Sequence, residues 1–305
     1  MSDIVVLGSL NADLVVSVDR APAAGETVPG RSFAVFNGGK GANQAFAAAR
    51  MGGEVAMLGR VGDDAYGRGL LGSLESVGVA VEGVRCIEGV TTGVASITVE
   101  AGGENRIVVV PGANGAYCPV ELERDAAFFK GAKLALFQLE TPLETVVGGL
   151  QLARERGCIT ILDPAPAREL GEEALSLVDY LTPNLSELAL LSQRELGEES
   201  SAAEIVAAAK SLLDYGVGKV LAKLGERGAI LVSRQGVERV YAVSVRAVDS
   251  TGAGDCFNGA FAAALSRGVA PLEAARFACM AASISVSRAG AQDSFPSVEE
   301  VLKGA

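Results

Sequence analysis

The stretch DSTGAGDCFNGAF, residues 249–261, runs a small-residue loop into a helix. Phe257, Ala260, Phe261, Ala264 and Leu265 recur at i, i+3, i+4, i+7 and i+8, the apolar stripe of a helix that buries one face. The loop Gly252-Ala253-Gly254 ahead of it leaves first-turn N–H groups unpaired and aimed at one spot, where an anion is favoured. Yet a carboxylate, Asp255, stands at that spot. As an N-cap it is ordinary; as a functional group beside a bound anion it needs a reason. The residues alone leave both readings open. They do exclude two known phosphate loops. The Walker loop needs Lys-Ser/Thr where Asp255-Cys256 stands, and the dinucleotide fingerprint needs a third glycine where Phe257 stands.

The loop lies late in the chain, and no strand separates its helix from the next, at Pro271. Upstream, apolar runs at 4–8, 55–59, 133–140, 158–164 and 219–225 alternate with helical stretches at 40–51, 64–77, 120–130, 142–156 and 201–215. Continuous apolar strands are those buried on both faces, and strand–helix alternation predicts a doubly wound, mostly parallel α/β sheet flanked by helices. Ligands on such sheets collect at the carboxyl ends of the strands. Two segments break the rhythm. Residues 13–38 and about 90–112 read as strands and turns without helices, the second a hairpin turning at 101–105. Paired with each other they predict a small β-sheet lid outside the main body, within a single α/β domain spanning 1–305.

A second glycine-rich stretch, NGGKGANQAFAAARMG at 37–52, also leads into an alanine-rich helix. Tight helix–sheet packing would account for the glycines, but Lys40, Asn43 and Gln44 are costly polar choices for packing and suit a polyhydroxy ligand. GSLNAD (8–13) follows the first strand; Asn11 and Asp13 could grip vicinal hydroxyls or close an Asx turn. Glu140 ends an apolar run ahead of a helix, where a carboxylate is also favoured by the helix dipole. In TPNLSE (182–187), Asn184 and Glu187 have capping-box spacing, and Glu187 could alternatively hold Mg²⁺ through water.

Composition narrows the chemistry. There is no histidine, which removes Ser-His-Asp and Cys-His hydrolysis and imidazole proton transfer, and leaves acid–base work to Asp, Glu, Lys, Tyr or Cys. A net charge of −11 argues against nucleic acid and anionic membranes as partners. Five scattered cysteines without a CxxC pair suit reduced thiols, and the short, acidic opening is no secretory signal; no stretch is long and apolar enough for a membrane span. A cytoplasmic protein is expected.

Together these stretches resemble the ribokinase-like family of sugar kinases, the phosphofructokinase B superfamily. GGKGANQA is similar to its first signature and DSTGAGDCFNGAF to its second. GSLNAD, TGVASITV, GENRI, QLE, DPAPA and N-x-x-E follow in family order, from about Gly8 to Pro296. The resemblance implies ATP-dependent phosphorylation of a sugar hydroxyl, with ribose the leading acceptor and fructose, a deoxy sugar or a nucleoside the alternatives. It implies that Asp255 is the catalytic base and that Gly252, Ala253 and Gly254 form an anion hole for the transferring phosphoryl group. Asn11, Asp13, Gly39, Lys40, Asn43 and Glu140 would hold the sugar. Asn184 and Glu187 would face phosphates and Mg²⁺, with Lys223, Leu224, Gly225, Glu226, Arg227 and Gly228 flanking ATP and Cys279 near the adenine.

The family also binds a monovalent cation, usually K⁺; the matching positions are Asp249, Thr251, Ser285, Arg288, Gly290 and Ser294, several through backbone carbonyls. Pairing through lid strands implies a homodimer. Two residues depart from the family pattern: Lys223 stands where ribokinases commonly carry Thr, and Asp163 where Asn often precedes PAPA. A non-catalytic sugar sensor would be expected to lose the base or the anion-hole glycines, and both are present. A nicotinamide dehydrogenase is disfavoured by the missing fingerprint in the first βα turn.

Overall fold

The computed structural model describes residues 2–304. In chain order the strands are β1 (Ile4–Leu7), β2 (Asn11–Val18), β3 (Gly30–Gly38), β4 (Val55–Gly62), β5 (Ala80–Ile87), β6 (Gly93–Glu100), β7 (Asn105–Val110), β8 (Leu134–Phe137), β9 (Ile159–Leu162), β10 (Tyr180–Leu181), β11 (Lys219–Lys223), β12 (Ala229–Ser233) and β13 (Val237–Val240). The α-helices are α1 (Lys40–Arg50), α2 (Ala65–Ser76), α3 (Pro119–Asp125), α4 (Leu143–Glu155), α5 (Glu172–Leu175), α6 (Leu185–Ser192), α7 (Ala202–Asp214), α8 (Ala253–Ser266), α9 (Pro271–Ser285) and α10 (Val298–Gly304).

β1 shows why the body is doubly wound. Successive side chains on a strand point to opposite faces. Ile4 and Val6 accordingly enter one core with α1, α8 and α9, while Val5 and Leu7 enter another with α4, α6 and α7. Both faces are covered, so the strand can be apolar throughout. The main sheet has nine strands in the order β13-β12-β11-β10-β9-β8-β1-β4-β5, parallel except for the pairs β11–β12 and β12–β13. Strand order reverses around β1, with β4 on one side and β8 on the other. A crevice is expected at the carboxyl ends there.

The two helix-free segments supply a second, four-stranded sheet in the order β3-β2-β6-β7. β2 and β6 pair in parallel from Asn11↔Gly93 to Val18↔Glu100, and β6–β7 is the expected hairpin. One finding was not anticipated: the small sheet leaves large apolar side chains in the open. Phe33 is 63% exposed and Val108 66%, with Val35, Phe36, Ile107, Val109 and Val110 also exposed.

Some boundaries differ from expectation. The run 133–140 is strand only to Phe137, because residues 138–140 leave the sheet, Gln138 and Glu140 carrying polar side chains to its mouth while Leu139 stays in the core. Residues 120–130 form α3 and then a 3-10 turn over Ala126–Phe129, a break after the buried Asp125. β5, β13 and the two-residue β10 carry weaker signals and went unread, as did β12, although its run AILV is apolar and buried. No helix among the described residues is long and apolar enough to cross a membrane.

Candidate functional site

α1 and α8 cross closely because both are built from small residues at the contact. Ala42, Ala45, Ala47 and Ala48 are fully buried on α1, as are Ala260, Ala262 and Ala263 on α8. Gly259 allows the closest approach, since a Cβ there would come within 2.6 Å of Ala47 Cβ and the Gln44 carbonyl oxygen. That approach brings Asn43 and Gln44 against Asp255. The N-cap of α8 is Gly252, in the left-handed region at φ 72°, and no side chain caps the helix. Asp255 sits in the first turn, and its carboxylate turns away from the helix end. Oδ2 accepts from Asn43 Nδ2 and Oδ1 from Gln44 Nε2, each at 3.0 Å. The cap reading of Asp255 is thereby removed. Burial raises its pKa from 3.8 to about 6, against the opposing pull of Lys40, while Asp163 raises it further.

The network extends on both sides of this carboxylate. Asn43 Oδ1 accepts from Gln292 Nε2 at 3.1 Å, and Gln292 Oε1 from Ser73 Oγ at 2.8 Å. Gln44 Nε2 also donates to Asp163 Oδ2 at 2.9 Å, and its Oε1 accepts from Gln138 Nε2 at 2.7 Å. Asn43 and Gln44 therefore hold the carboxylate whatever else they bind.

The residues expected to hold sugar gather at the mouth of β1 and β8. Asn11 and Asp13 lie in β2, not in an Asx turn. Glu140 does not start its own helix; it accepts from Ser9 Oγ at 2.5 Å and from Lys40 N at 3.1 Å, so it serves the N-terminus of α1. Gly39 precedes α1 at φ 88°, against the backbone of Leu10 and Asn11. Burial raises Asp13 from 3.8 to about 7, reinforced by the Glu140 and Asp255 charges. Burial alone would lower Lys40, but Asp255, Glu140, Asp163 and Glu187 outweigh it and hold the ammonium above the ordinary lysine range.

Asn114 escaped the sequence reading. It lies in the 3-10 turn Gly112–Ala116, where the small sheet returns to the body, and is fully buried. Its Oδ1 accepts from Leu10 N at 2.9 Å, and its Nδ2 donates to Leu10 O at 3.0 Å and to Asn11 Oδ1 at 2.8 Å. With its oxygen already accepting from Asn114, the Asn11 amide is oriented with its NH₂ free to offer a ligand.

Beyond Asp255 opens a cavity of about 800 Å³. Its lining includes Lys40, Asn184, Glu187, Lys223, Gly225, Glu226, Arg227, Gly228, Gly252, Ala253, Gly254 and Cys279. Leu224 lies just behind this wall, its N–H donating to Gly228 O at 2.8 Å. Asn184 and Glu187 do form the capping box of α6, Asn184 Oδ1 accepting from Glu187 N at 2.8 Å and Glu187 Oε2 from Asn184 N at 2.7 Å. They face the cavity as well, so the local and functional readings coexist. Burial raises the Glu187 pKa, with Lys223 lowering it. The two departures from the family pattern are each other's partner: Lys223 Nζ meets Asp163 Oδ1 at 2.7 Å. A Cβ on Gly254 would lie 3.6 Å from that ammonium.

The far wall also went unread. Ala242, Val243, Ser244, Val245 and Ala247, between β13 and the α8 loop, face Ala282, Ser283 and Val286 around Cys279. Their small and branched side chains form a slot without a charge, and burial pushes the Cys279 thiol up to about 12.

At the expected monovalent-cation positions, Asp249 Oδ1 accepts from Thr251 N at 2.9 Å and Thr251 Oγ1 at 2.6 Å, and Oδ2 accepts from Gly290 N at 2.9 Å. Ser285 and Ser294 share a hydroxyl bond of 2.7 Å. The Arg288 guanidinium turns to Glu300 at 2.6 Å, so only its backbone carbonyl is free for an ion. No cluster of three or more His, Cys, Asp or Glu suited to direct metal ligation occurs among the described residues.

Comparison with known proteins gives a consistent result. The family described as pfkB family carbohydrate kinase matches residues 1–298. A ribokinase from Haemophilus influenzae is 40% identical over 299 residues, covering 98% of this chain and 96% of the relative. A deoxyribokinase from Salmonella typhi is 37% identical, covering 98% of this chain and 97% of its own. The solved structure of Arabidopsis thaliana ribokinase complexed with ribose and ATP superposes with a TM-score of 0.93 at 33% identity, covering 99% of this chain and 98% of that one.

Proposed function

The chain belongs to the pfkB family of carbohydrate kinases and is an ATP-using enzyme of that family, and we propose that it transfers the γ-phosphoryl group of ATP to the 5-hydroxyl of D-ribose with Asp255 as general base. One observation carries the reading. Asp255 is buried, caps nothing, and is held by Asn43 and Gln44 between the Asn11–Asp13–Glu140 group and the cavity containing Gly254 and Lys223. A base must reach a sugar hydroxyl on one side while the phosphoryl donor lies on the other.

On the sugar side, Asn11 presents a donor, because Asn114 occupies its oxygen. Asp13 and Glu140 present acceptors. A sugar with adjacent hydroxyls satisfies both, each hydroxyl accepting from one side chain and donating to another. Hydroxyls donating to Asp13 would favour its ionised form and offset its burial. On the nucleotide side, the first turn of α8 offers N–H groups that lack intrahelical acceptors. Ala253 N is partly spent on Ser250 O at 3.2 Å, so Gly252 and Gly254 are the better anion-hole donors. Preorganised donors of this kind stabilise charge developing on a transferring phosphoryl group. The uncharged slot around Cys279 suits an adenine ring.

Mg²⁺ fits through water. Both Glu187 oxygens already accept from Asn184, Oε2 at 2.7 Å and Oε1 at 2.9 Å, and each keeps a lone pair that a metal-bound water can donate to. When bound with the nucleotide, Mg²⁺ neutralises phosphate charge among carboxylates that outnumber the nearby ammonium groups. K⁺ fits the backbone carbonyls around Asp249, whose carboxylate already orders the Thr251 and Gly290 backbone. The exposed apolar face of the small sheet supports a homodimer paired through it. Five unpaired cysteines suit a reducing, cytoplasmic compartment.

The test is sugar-dependent ADP release with ribose, deoxyribose, fructose and nucleosides, with and without K⁺. Ribose is expected to give the highest kcat/KM, raised by K⁺. A flat response to ribose with turnover on another sugar would move the acceptor within the family.

A further inference from the structure

Asp163 uses its two oxygens on opposite sides of the site. Oδ1 accepts from Lys223 Nζ at 2.7 Å and Oδ2 from Gln44 Nε2 at 2.9 Å. The same Gln44 nitrogen reaches Asp255 Oδ1 at 3.0 Å, while Gln44 Oε1 accepts from Gln138 Nε2 at 2.7 Å. The Gln44 amide can sit only one way round. Reversed, its oxygen would face two carboxylates and its NH₂ would face the Gln138 donor. At the other end, the Lys223 ammonium borders Gly254 on the rim of the phosphate-side cavity. Lys223 is 13% exposed and Asp163 3%, so the link is shielded from solvent at the Asp163 end.

We infer that Asp163 is a positioning residue that holds Asp255 in register with the terminal phosphate of the nucleotide, through Lys223 at one end and Gln44 at the other. This deepens the sugar-kinase reading and rests on it. A phosphate arriving at the α8 loop meets an ammonium already fixed in place, and the carboxylate fixing it also orients the amide that holds the base. Preset geometry of this kind matters because a misplacement of about 1 Å can cost roughly 100-fold in rate. A pair that merely neutralised a buried carboxylate would affect folding, nucleotide affinity and, through its charge, the acidity of the base, but would leave kcat indifferent to the Gln44 amide that joins the pair to Asp255. The charged groups around Asp255 are Lys40 on α1 and Asp163 after β9, with Asp13 on β2 and Lys223 and Glu187 beyond Asp163.

The experiment compares Asp163→Asn, Lys223→Met and the double variant in the full-length enzyme. The readouts are kcat, both KM values and the acid limb of kcat/KM for sugar. Lys223→Met leaves Asp163 unneutralised beside Asp255, so the acid limb moves to higher pH. Asp163→Asn removes that negative charge, so the limb moves to lower pH. The double variant returns it to the wild-type position, while nucleotide KM stays raised because the phosphate contact is still missing. Gln44→Ala, which removes neither the Lys223 nor the Asp163 charge, lowers kcat by about tenfold or more and leaves nucleotide KM unchanged. Single variants whose acid limbs coincide with wild type, or a Gln44→Ala enzyme with full kcat, would overturn the relay. Wild-type turnover is measured on the same preparations; its absence would overturn the kinase reading itself.

Discussion

Replacing Asp255 with asparagine removes the proposed base while changing little else. A positioned base contributes typically ~10²–10⁴-fold, about 2.7–5.4 kcal/mol of barrier at 1.36 kcal/mol per decade. The structural consequences largely offset one another. Gln44 is anchored by Asp163 and Gln138, so the new amide must turn its oxygen to Gln44 and its NH₂ to the Asn43 NH₂. One hydrogen bond is lost, worth about 0.5–1.5 kcal/mol. Against it, a buried carboxylate raised from 3.8 to about 6 is removed, which at neutral pH relieves at most about 3 kcal/mol. The variant should therefore fold, with an unchanged or higher Tm at pH 7.5, and bind sugar within a few-fold of wild type by calorimetry. Coupled ADP-release turnover should fall by about 10²–10⁴-fold. In the wild type, the base must be ionised to act, so kcat/KM should fall about tenfold per pH unit below roughly 6. A folded, sugar-binding Asp255→Asn enzyme retaining turnover within tenfold of wild type would refute the assignment.

Asn114→Ala frees the Asn11 amide to rotate and leaves its orientation unset, so sugar KM should rise about tenfold in steady-state kinetics while nucleotide KM stays unchanged. Asp13, raised to about 7 in the folded protein, keeps a proton there over a pH window in which the unfolded chain has released it. Stability of the sugar-free enzyme should accordingly fall as pH rises from about 4 to 7. Asp13→Asn should remove that slope, gaining at most about 4 kcal/mol above pH 7 and nothing near pH 4 in urea unfolding. Val108→Glu places a charge in the exposed apolar face of the small sheet, and sedimentation should show a dimer converted to monomer.

The main sheet was legible because its strands are buried on both faces, so their apolar runs stand out without any knowledge of neighbours. β1, β8, β9 and β11 fall within the runs read from sequence, and β4 starts with its run at Val55 but continues three residues beyond it, to Gly62. β5 and β13 did not stand out, since partly exposed strands mix polar and apolar residues. The site followed the same division. Asp255, Lys40 and Asn43 sit in glycine-rich stretches whose glycines packing explains but whose polar residues it does not. Asn114 and Gln138 act through hydrogen bonds to residues distant in sequence, at separations of 103 for Asn114–Asn11 and 94 for Gln138–Gln44; no local pattern marks Asn114, and QLE marks Gln138 without indicating its partner. Lys223 and Asp163 were visible only as two separate oddities. Their 2.7 Å contact turns them into one feature. The cap reading of Asp255 and the helix-start reading of Glu140 failed for a common reason: each carboxylate is drawn across the crevice by donors of another element.

The most direct measurement is initial-rate ADP release across ribose, deoxyribose, fructose and nucleosides at fixed ATP and Mg²⁺, with K⁺ or a large inert cation. Ribose should give the highest kcat/KM, yield ribose 5-phosphate, and respond to K⁺. ATP turnover independent of every sugar, or no turnover with ribose at any K⁺ concentration, would contradict the account.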